Sequence, residues 1–157
     1  PFDAVLHGAI GNAIEKYFSC TIDKLELDDA FCIQYNMSQH DTRCAKHVDP
    51  SDITVNMCLE NTHDVTGSQV MFYGKQTLHN YDGPSPSKTI SSDVDDDNPE
   101  TFLVNQDRGF ATIHWGRHPH MTTPLTSGGK RTNIILTYCF KEKDKNHVLN
   151  QNCFFTS

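Results

Sequence analysis

A mostly β domain with one flanking helix is the fold class the sequence predicts, and three observations predict it. An apolar stripe with helical spacing opens the chain, from Phe2 to Phe18. After it, the helical period gives way to short runs rich in β-branched and aromatic residues, separated by turn-forming ones. The length, 157 residues, suits one compact domain with a single core over 1–157.

The helix is read from Phe2, Val5, Leu6, Ala9, Ile10, Ala13, Ile14, Tyr17 and Phe18, which recur at three- and four-residue spacing and give one apolar face. Such a helix needs a surface to lie on, and the outer face of a sheet is the natural one. Strands are predicted over 30–35, 53–59, 68–73, 109–115 and 132–140, with a polar turn over 38–43. The stretch 83–100, rich in Pro, Ser and Asp, reads as a long loop, either disordered or a functional lid. One helix followed by several short strands makes an antiparallel double-sheet barrel, a jelly roll, buttressed by the helix.

The formal charge of −7 argues against a nucleic-acid groove, because neutralising phosphates takes clustered Lys and Arg. The acid is concentrated in Asp93, Asp95, Asp96 and Asp97, with Glu100 close behind, as a solvated loop or a docking point for a basic peptide. No apolar run approaches the roughly 18 residues of a membrane-spanning helix, so no membrane partner is expected. Six cysteines are scattered without a CxxC pair, which fits neither a zinc finger nor a dense disulfide framework. Reduced thiols, and hence a cytoplasmic or nuclear location, are the expectation. The opening Pro1-Phe2-Asp3-Ala4 has neither an initiator Met nor a basic-then-apolar leader, and reads as the start of an excised domain.

Two clusters carry chemistry. In Lys46-His47-Val48-Asp49-Pro50-Ser51-Asp52 a His and an Asp stand two residues apart, so on an extended strand both heads share a face and reach one metal ion. Completed by a distant second His, such a pair makes the facial triad of non-haem Fe(II) oxygenases, which leaves coordination positions open. A bare pair of this kind arises by chance in a chain with nine histidines. The second cluster runs from His114-Trp115-Gly116-Arg117-His118-Pro119-His120 to Thr126-Ser127-Gly128-Gly129-Lys130-Arg131-Thr132-Asn133. A distal His followed by a cation is the layout needed to chelate a 2-oxo acid at iron and clamp its far carboxylate, a task the planar guanidinium suits.

With these motifs the chain resembles the prolyl/lysyl hydroxylase-type (prolyl 4-hydroxylase-like) branch of the 2-oxoglutarate/Fe(II) oxygenases. The likeness rests on HVDxSxxTxNxxL, here His47 to Leu59; on HxGRHxH, here His114 to His120; and on a TSG turn with a following RxN. Gly67-Ser68-Gln69-Val70-Met71-Phe72 is similar to an FxGGxLxF strand with Ser68 in place of the second Gly, and Ala30 to Tyr35 to the strand whose closing Tyr precedes HxD. Together these motifs span 28–140.

The resemblance implies a double-stranded β-helix, cupin-like barrel. It implies iron on His47, Asp49 and His120, the far carboxylate of 2-oxoglutarate on Arg131, and Tyr35 as a hydroxyl donor. Thr54 and Asn56, on one strand face, are implied to touch the cosubstrate. His114 and His118 are then supporting or solvated imidazoles. Two residues, Gly129 and Lys130, separate Gly128 from Arg131 where relatives have one, so Lys130 competes with Arg131 for the clamp; the RxN match favours Arg131. The cofactors implied are Fe(II), 2-oxoglutarate and O2, with ascorbate as reductant. The reaction implied is hydroxylation of a prolyl or lysyl residue in a protein or peptide. The alternatives are a small-molecule hydroxylase of the same superfamily and a binding module that has lost catalysis.

Overall fold

The computed structural model describes residues 3–74 and 100–141. The predicted loop 83–100 therefore lies outside the described residues except for Glu100, as do Phe2 and Cys153.

The opening stripe forms two helices, not one: α1 (Asp3–Leu6) and α2 (Ala9–Phe18). Gly8 is extended and caps α2, and the reason for the break lies at Gly11. A Cβ there would sit 1.6 Å from the Leu6 carbonyl oxygen, so the first turn of α2 rests directly on the end of α1. No residue with a side chain fits that contact. The apolar face still behaves as predicted: Ile14 is fully buried, and Phe18 meets Trp115 edge-on with ring centres 5.0 Å apart.

That face covers a four-stranded antiparallel sheet. Its strands are β1 (Leu25–Asn36), β3 (Ile53–Asn61), β7 (Ala111–Trp115) and β10 (Lys130–Phe140), in the order β1-β10-β3-β7. A second antiparallel sheet has the order β2-β8-β5-β6, from β2 (Cys44–His47), β5 (Val70–Tyr73), β6 (Thr101–Val104) and β8 (His120–Thr122). A small ladder joins β4 (Thr66–Gly67) to β9 (Leu125–Ser127). Side chains from both four-stranded sheets line one cavity, so the sheets face each other as in a jelly roll. The fold class is as the sequence predicted.

Period-two alternation sorts the strands' side chains. On β10, Leu136, Tyr138 and Phe140 join Ile53 and Val55 of β3 in the core beneath the helices. Earlier on the strand, the odd-numbered Arg131, Asn133 and Ile135 are buried on the opposite, barrel-facing side. Five strands match the predicted runs in place, with shifted ends. β1 starts five residues early, because Asp28 and Asp29 disfavour a strand by propensity yet lie on a well-paired edge whose ladder is shifted between Leu27 and Asp29. The short β2, β4, β6, β8 and β9 were not predicted, since two to four residues hold too little period to read. The described Cys20, Cys32, Cys44 and Cys58 are free thiols.

Ser68, standing where the resembling strand has glycine, adopts φ 57°. A side chain in this left-handed region costs about 1–2 kcal/mol, and the Ser68 hydroxyl is buried without a partner. Glycine removes both penalties but adds freedom to the unfolded chain, worth about 0.5–1 kcal/mol. Ser68→Gly is accordingly expected to stabilise the domain by about 0.5–1 kcal/mol, seen as a higher urea midpoint at constant slope.

Candidate metal centre in the barrel

The last residue of β2 and the first of β8 are direct partners across the ladder: His47 pairs with His120. This register brings the two rings to 4.3 Å between centres. Each imidazole donates Nδ1–H to a backbone carbonyl, His47 to Ala45 at 2.7 Å and His120 to His118 at 2.8 Å. The tautomer so fixed leaves both Nε2 lone pairs free. Asp49 does not share the strand with His47, as the two-residue spacing implied; it lies just past the end of β2. Its Oδ1 is 3.5 Å from His47 Nε2 and 3.8 Å from His120 Nε2. One ligand atom from each of the three falls within 4.8 Å of the others, close enough to hold one metal ion.

The turn carrying Asp49 is held from two sides. Its amide donates to the Gly116 carbonyl at 2.8 Å, and the Gly116 amide donates to the Asp52 carbonyl at 2.9 Å. A Cβ on Gly116 would lie 2.1 Å from the Ser51 carbonyl oxygen, so this close approach requires glycine. The carboxylate is aimed by Thr54, whose hydroxyl donates to Asp49 Oδ2 at 2.6 Å and is itself 3.0 Å from Ser51 Oγ. Thus Oδ2 is occupied and Oδ1 faces the histidines.

Electrostatics agree with this arrangement. Burial works to raise the Asp49 pKa, but hydrogen bonds with His47 and Thr54 and the neighbouring His120 and His114 hold it below the ordinary value. The bond to Asp49 raises His47, whereas burial lowers His120. Burial pushes His114 down to about 4, so this imidazole is neutral. A carboxylate and two imidazoles whose ligand atoms converge are the donor set of a facial triad, which suits Fe(II).

The cavity beside these donors, about 60 Å³, has a mixed lining: His47, Asp49, His114, His120, Thr54 and Asn56 are polar, and Phe31, Ile33, Val70 and Ile135 are apolar. Tyr35 also lines the cavity, its hydroxyl near Thr122 and its pKa raised by burial.

No protein-family model matches the chain. A curated relative, the "2-oxoglutarate and iron-dependent oxygenase domain-containing protein CP2" of Arabidopsis thaliana, is 28% identical over 151 residues, covering 92% of this chain and 34% of that protein. The chain thus spans about a third of the length of the curated relative it matches. A Burkholderia pseudomallei oxidoreductase of the 2OG-Fe(II) oxygenase family superposes with a TM-score of 0.57 at 12% identity, covering 86% of this chain and 53% of that one. The fold is that of the 2-oxoglutarate/Fe(II) oxygenases. EvdO2 from Micromonospora carbonacea superposes similarly (TM-score 0.57, 16% identity, 87% of this chain and 62% of that one). So does the non-haem epimerase SnoN from nogalamycin biosynthesis, described as α-ketoglutarate dependent (TM-score 0.53, 11% identity, 99% and 69%).

Within this oxygenase fold the two candidate clamps part ways. Arg131, at the start of β10, is 2% exposed and in register with Tyr35, its Cζ 5.1 Å from the ring centre. Its Nη1 donates to the Ser68 carbonyl at 2.6 Å, its Nε is buried without a partner, and no acidic side chain among the described residues pairs with it. Lys130 points outward, 3.0 Å from Glu60, with both side chains more than two-fifths exposed. Arg131 is not on the wall of the metal cavity. It stands behind Tyr35 and borders a second, polar cavity of about 350 Å³ with Asn61, Ser68 and Gln106.

Thr54 and Asn56 both reach the cavity, but the Thr54 hydroxyl is committed to Asp49, which casts it as a carboxylate orienter more than a cosubstrate contact. Asn56 belongs to a buried amide network that the sequence reading did not pick out: Asn133 Nδ2 donates to Asn56 Oδ1 and, at 2.8 Å, to Gln106 Oε1. Counting in twos from Arg131 along β10 leads to Asn133, whereas nothing local signals Gln106. His118 donates Nε2–H to the Gly74 carbonyl at 3.1 Å and so stands aside from the donors. Of the cysteines, Cys44 lines the cavity, with Sγ 3.6 Å from His47 Nδ1.

Proposed function

We propose that this domain is an Fe(II)- and 2-oxoglutarate-dependent oxygenase, with His47, Asp49 and His120 as the iron ligands. The observation that carries the reading is the convergence of two Nε2 lone pairs and one carboxylate oxygen at the mouth of a half-apolar barrel cavity. When bound, iron and the oxo acid couple oxygen reduction to oxidative decarboxylation, providing an oxidant for a C–H bond. The chain's own residues do the rest. Ala45 and His118 carbonyls fix the imidazole tautomers, Thr54 aims Asp49, and Phe31, Ile33, Val70 and Ile135 keep water from the reacting face. Arg131 with Tyr35 supplies the buried cation and hydroxyl that a dicarboxylate's far end requires.

For the substrate, a prolyl or lysyl residue in a peptide is the reading favoured by the sequence motifs. The rim residue Phe31 is 42% exposed and suits the contact with an aliphatic ring or chain. A small-molecule substrate is the second reading, favoured by the fold neighbour SnoN, described as an epimerase from nogalamycin biosynthesis. No nucleic-acid partner is proposed, given the charge of −7.

The test is succinate formation from 2-oxoglutarate with Fe(II) and ascorbate, with and without Pro- and Lys-containing peptides and a small-molecule panel. Stimulation by one peptide supports the peptidyl reading; stimulation by a small molecule only replaces it with the second. Absence of any iron-dependent succinate would overturn the oxygenase proposal.

A further inference from the structure

His114 is built like a metal ligand without belonging to the triad. Its register partner on β3 is Thr54, the residue that aims Asp49, so its ring enters the same end of the barrel. The ring is buried, packed edge-on against His120 with centres 4.6 Å apart and against Phe72 at 5.1 Å. Its Nδ1 lies 2.9 Å from the Trp115 carbonyl oxygen, which can only accept, so Nδ1 carries the hydrogen. His47 and His120 are arranged in the same way. The Nε2 of His114 is therefore a lone pair directed into the metal cavity, whose wall it helps to form.

What faces that lone pair is another acceptor. Asp49 Oδ2 is 3.9 Å away, beyond hydrogen-bond reach, and already takes the Thr54 hydroxyl. No donor among the described residues serves His114 Nε2. This Nε2 belongs to a residue that lines the cavity, where a donor that enters can reach it. His114 falls outside the set of atoms that could share one ion, so its Nε2 is suited to a ligand of the metal more than to the metal itself.

We infer that His114 is a positioning residue of the metal centre, whose Nε2 accepts a hydrogen bond from a protic group, water or a hydroxyl, bound to the metal on the Asp49 Oδ2 side. The inference rests on the proposed metal triad. It gives the centre one fixed acceptor outside the ligand set, and so selects which of the open positions a protic ligand takes. Partners of this kind commonly alter metal affinity by about 10–100-fold.

The test titrates the whole chain with Co(II), following its visible d–d absorption, in the parent protein and in His114→Phe and His114→Gln. Phenylalanine keeps the ring's bulk and removes the acceptor; glutamine restores an acceptor oxygen. The expected result is Co(II) affinity about tenfold weaker or more in His114→Phe, with a changed band shape, and recovery of most of that loss in His114→Gln. Equal affinity and spectra in parent and His114→Phe would overturn the inference. Equal losses in both variants would also overturn it, leaving packing as the cause. Should His114→Phe not fold, judged by the metal-free melt, His114→Leu serves as the acceptor-free variant. His47→Ala is the control for the underlying reading: if it binds Co(II) as the parent does, the triad is wrong, independently of His114.

Discussion

Asp49→Ala is expected to abolish iron-dependent turnover and to weaken divalent-metal binding by more than the roughly 100-fold that loss of a supporting partner costs. Asp49 is the one anionic donor of the set, and its Oδ1 is the atom both histidines face. The fold should survive, because the Asp49 backbone amide still reaches Gly116 and the side chain contributes no buried apolar surface. Calorimetric titration with Mn(II), beside a circular-dichroism melt, separates the two effects; unchanged metal affinity would exclude Asp49 from the site. The pH dependence follows from the same residues. Hydrogen bonding to Asp49 raises His47 above its ordinary 6.5, and a protonated imidazole cannot ligate. Metal affinity should therefore decline as pH falls through the raised His47 value, by about tenfold per pH unit once that single proton competes. In the metal-free protein, raised His47 contributes stability that is fully present below 6.5 and lost as pH rises through its folded value. Lowered Asp49 contributes stability present above 3.8 and lost as pH falls through its folded value. Metal loading should thus add most stability at the alkaline end of this range, where the His47 contribution is gone and the ligands are free.

The three candidate ligands could be named from the sequence because each is carried by a short motif, and the barrel was legible because its long strands have clear period. What was not legible depends on pairing between distant segments. Three histidines within seven residues are equivalent on paper; the His47–His120 register and the turn of His118 towards Gly74 distinguish them. The role of Thr54 was missed because it depends on the 49–52 turn folding back over β3, an approach allowed by the bare Cα of Gly116. The helix break was missed for a like reason. Periodicity sees one stripe through Leu6 and Ala9, whereas the stop is a backbone contact at Gly11. Pattern reports which face of an element is apolar, and it is silent on where two backbones touch.

Arg131→Met should have opposite consequences for stability and for cosubstrate binding, and that contrast is what a purely structural arginine would not produce. The guanidinium is 2% exposed, and burial lowers its pKa, with no acidic side chain among the described residues to compensate it. Its contacts are one carbonyl, Ser68, and the face of Tyr35, while Nε is left without an acceptor. A buried charge so poorly matched destabilises the ligand-free fold, and an apolar replacement of similar length is commonly neutral or stabilising by about 1–4 kcal/mol. The anion that completes the pair would then be the far carboxylate of 2-oxoglutarate. Removing the cation should weaken 2-oxoglutarate binding by about 3–4 kcal/mol, or roughly 10²–10³ in Kd. Arg131 borders the polar cavity and sits behind Tyr35, so the Tyr35 ring has to share the contact or shift for the carboxylate to reach it. Tyr35→Phe should therefore cost less than Arg131→Met, about 1 kcal/mol for one hydroxyl. Lys130→Ala should change 2-oxoglutarate affinity little, because its ammonium is exposed and engaged with Glu60, a surface pair worth no more than about 1 kcal/mol. Urea melts of the free protein and calorimetry with 2-oxoglutarate on the Mn(II)-loaded protein measure both sides. A variant that loses stability and keeps its 2-oxoglutarate affinity would make Arg131 a structural residue and return the clamp to Lys130 or to a group elsewhere in the chain.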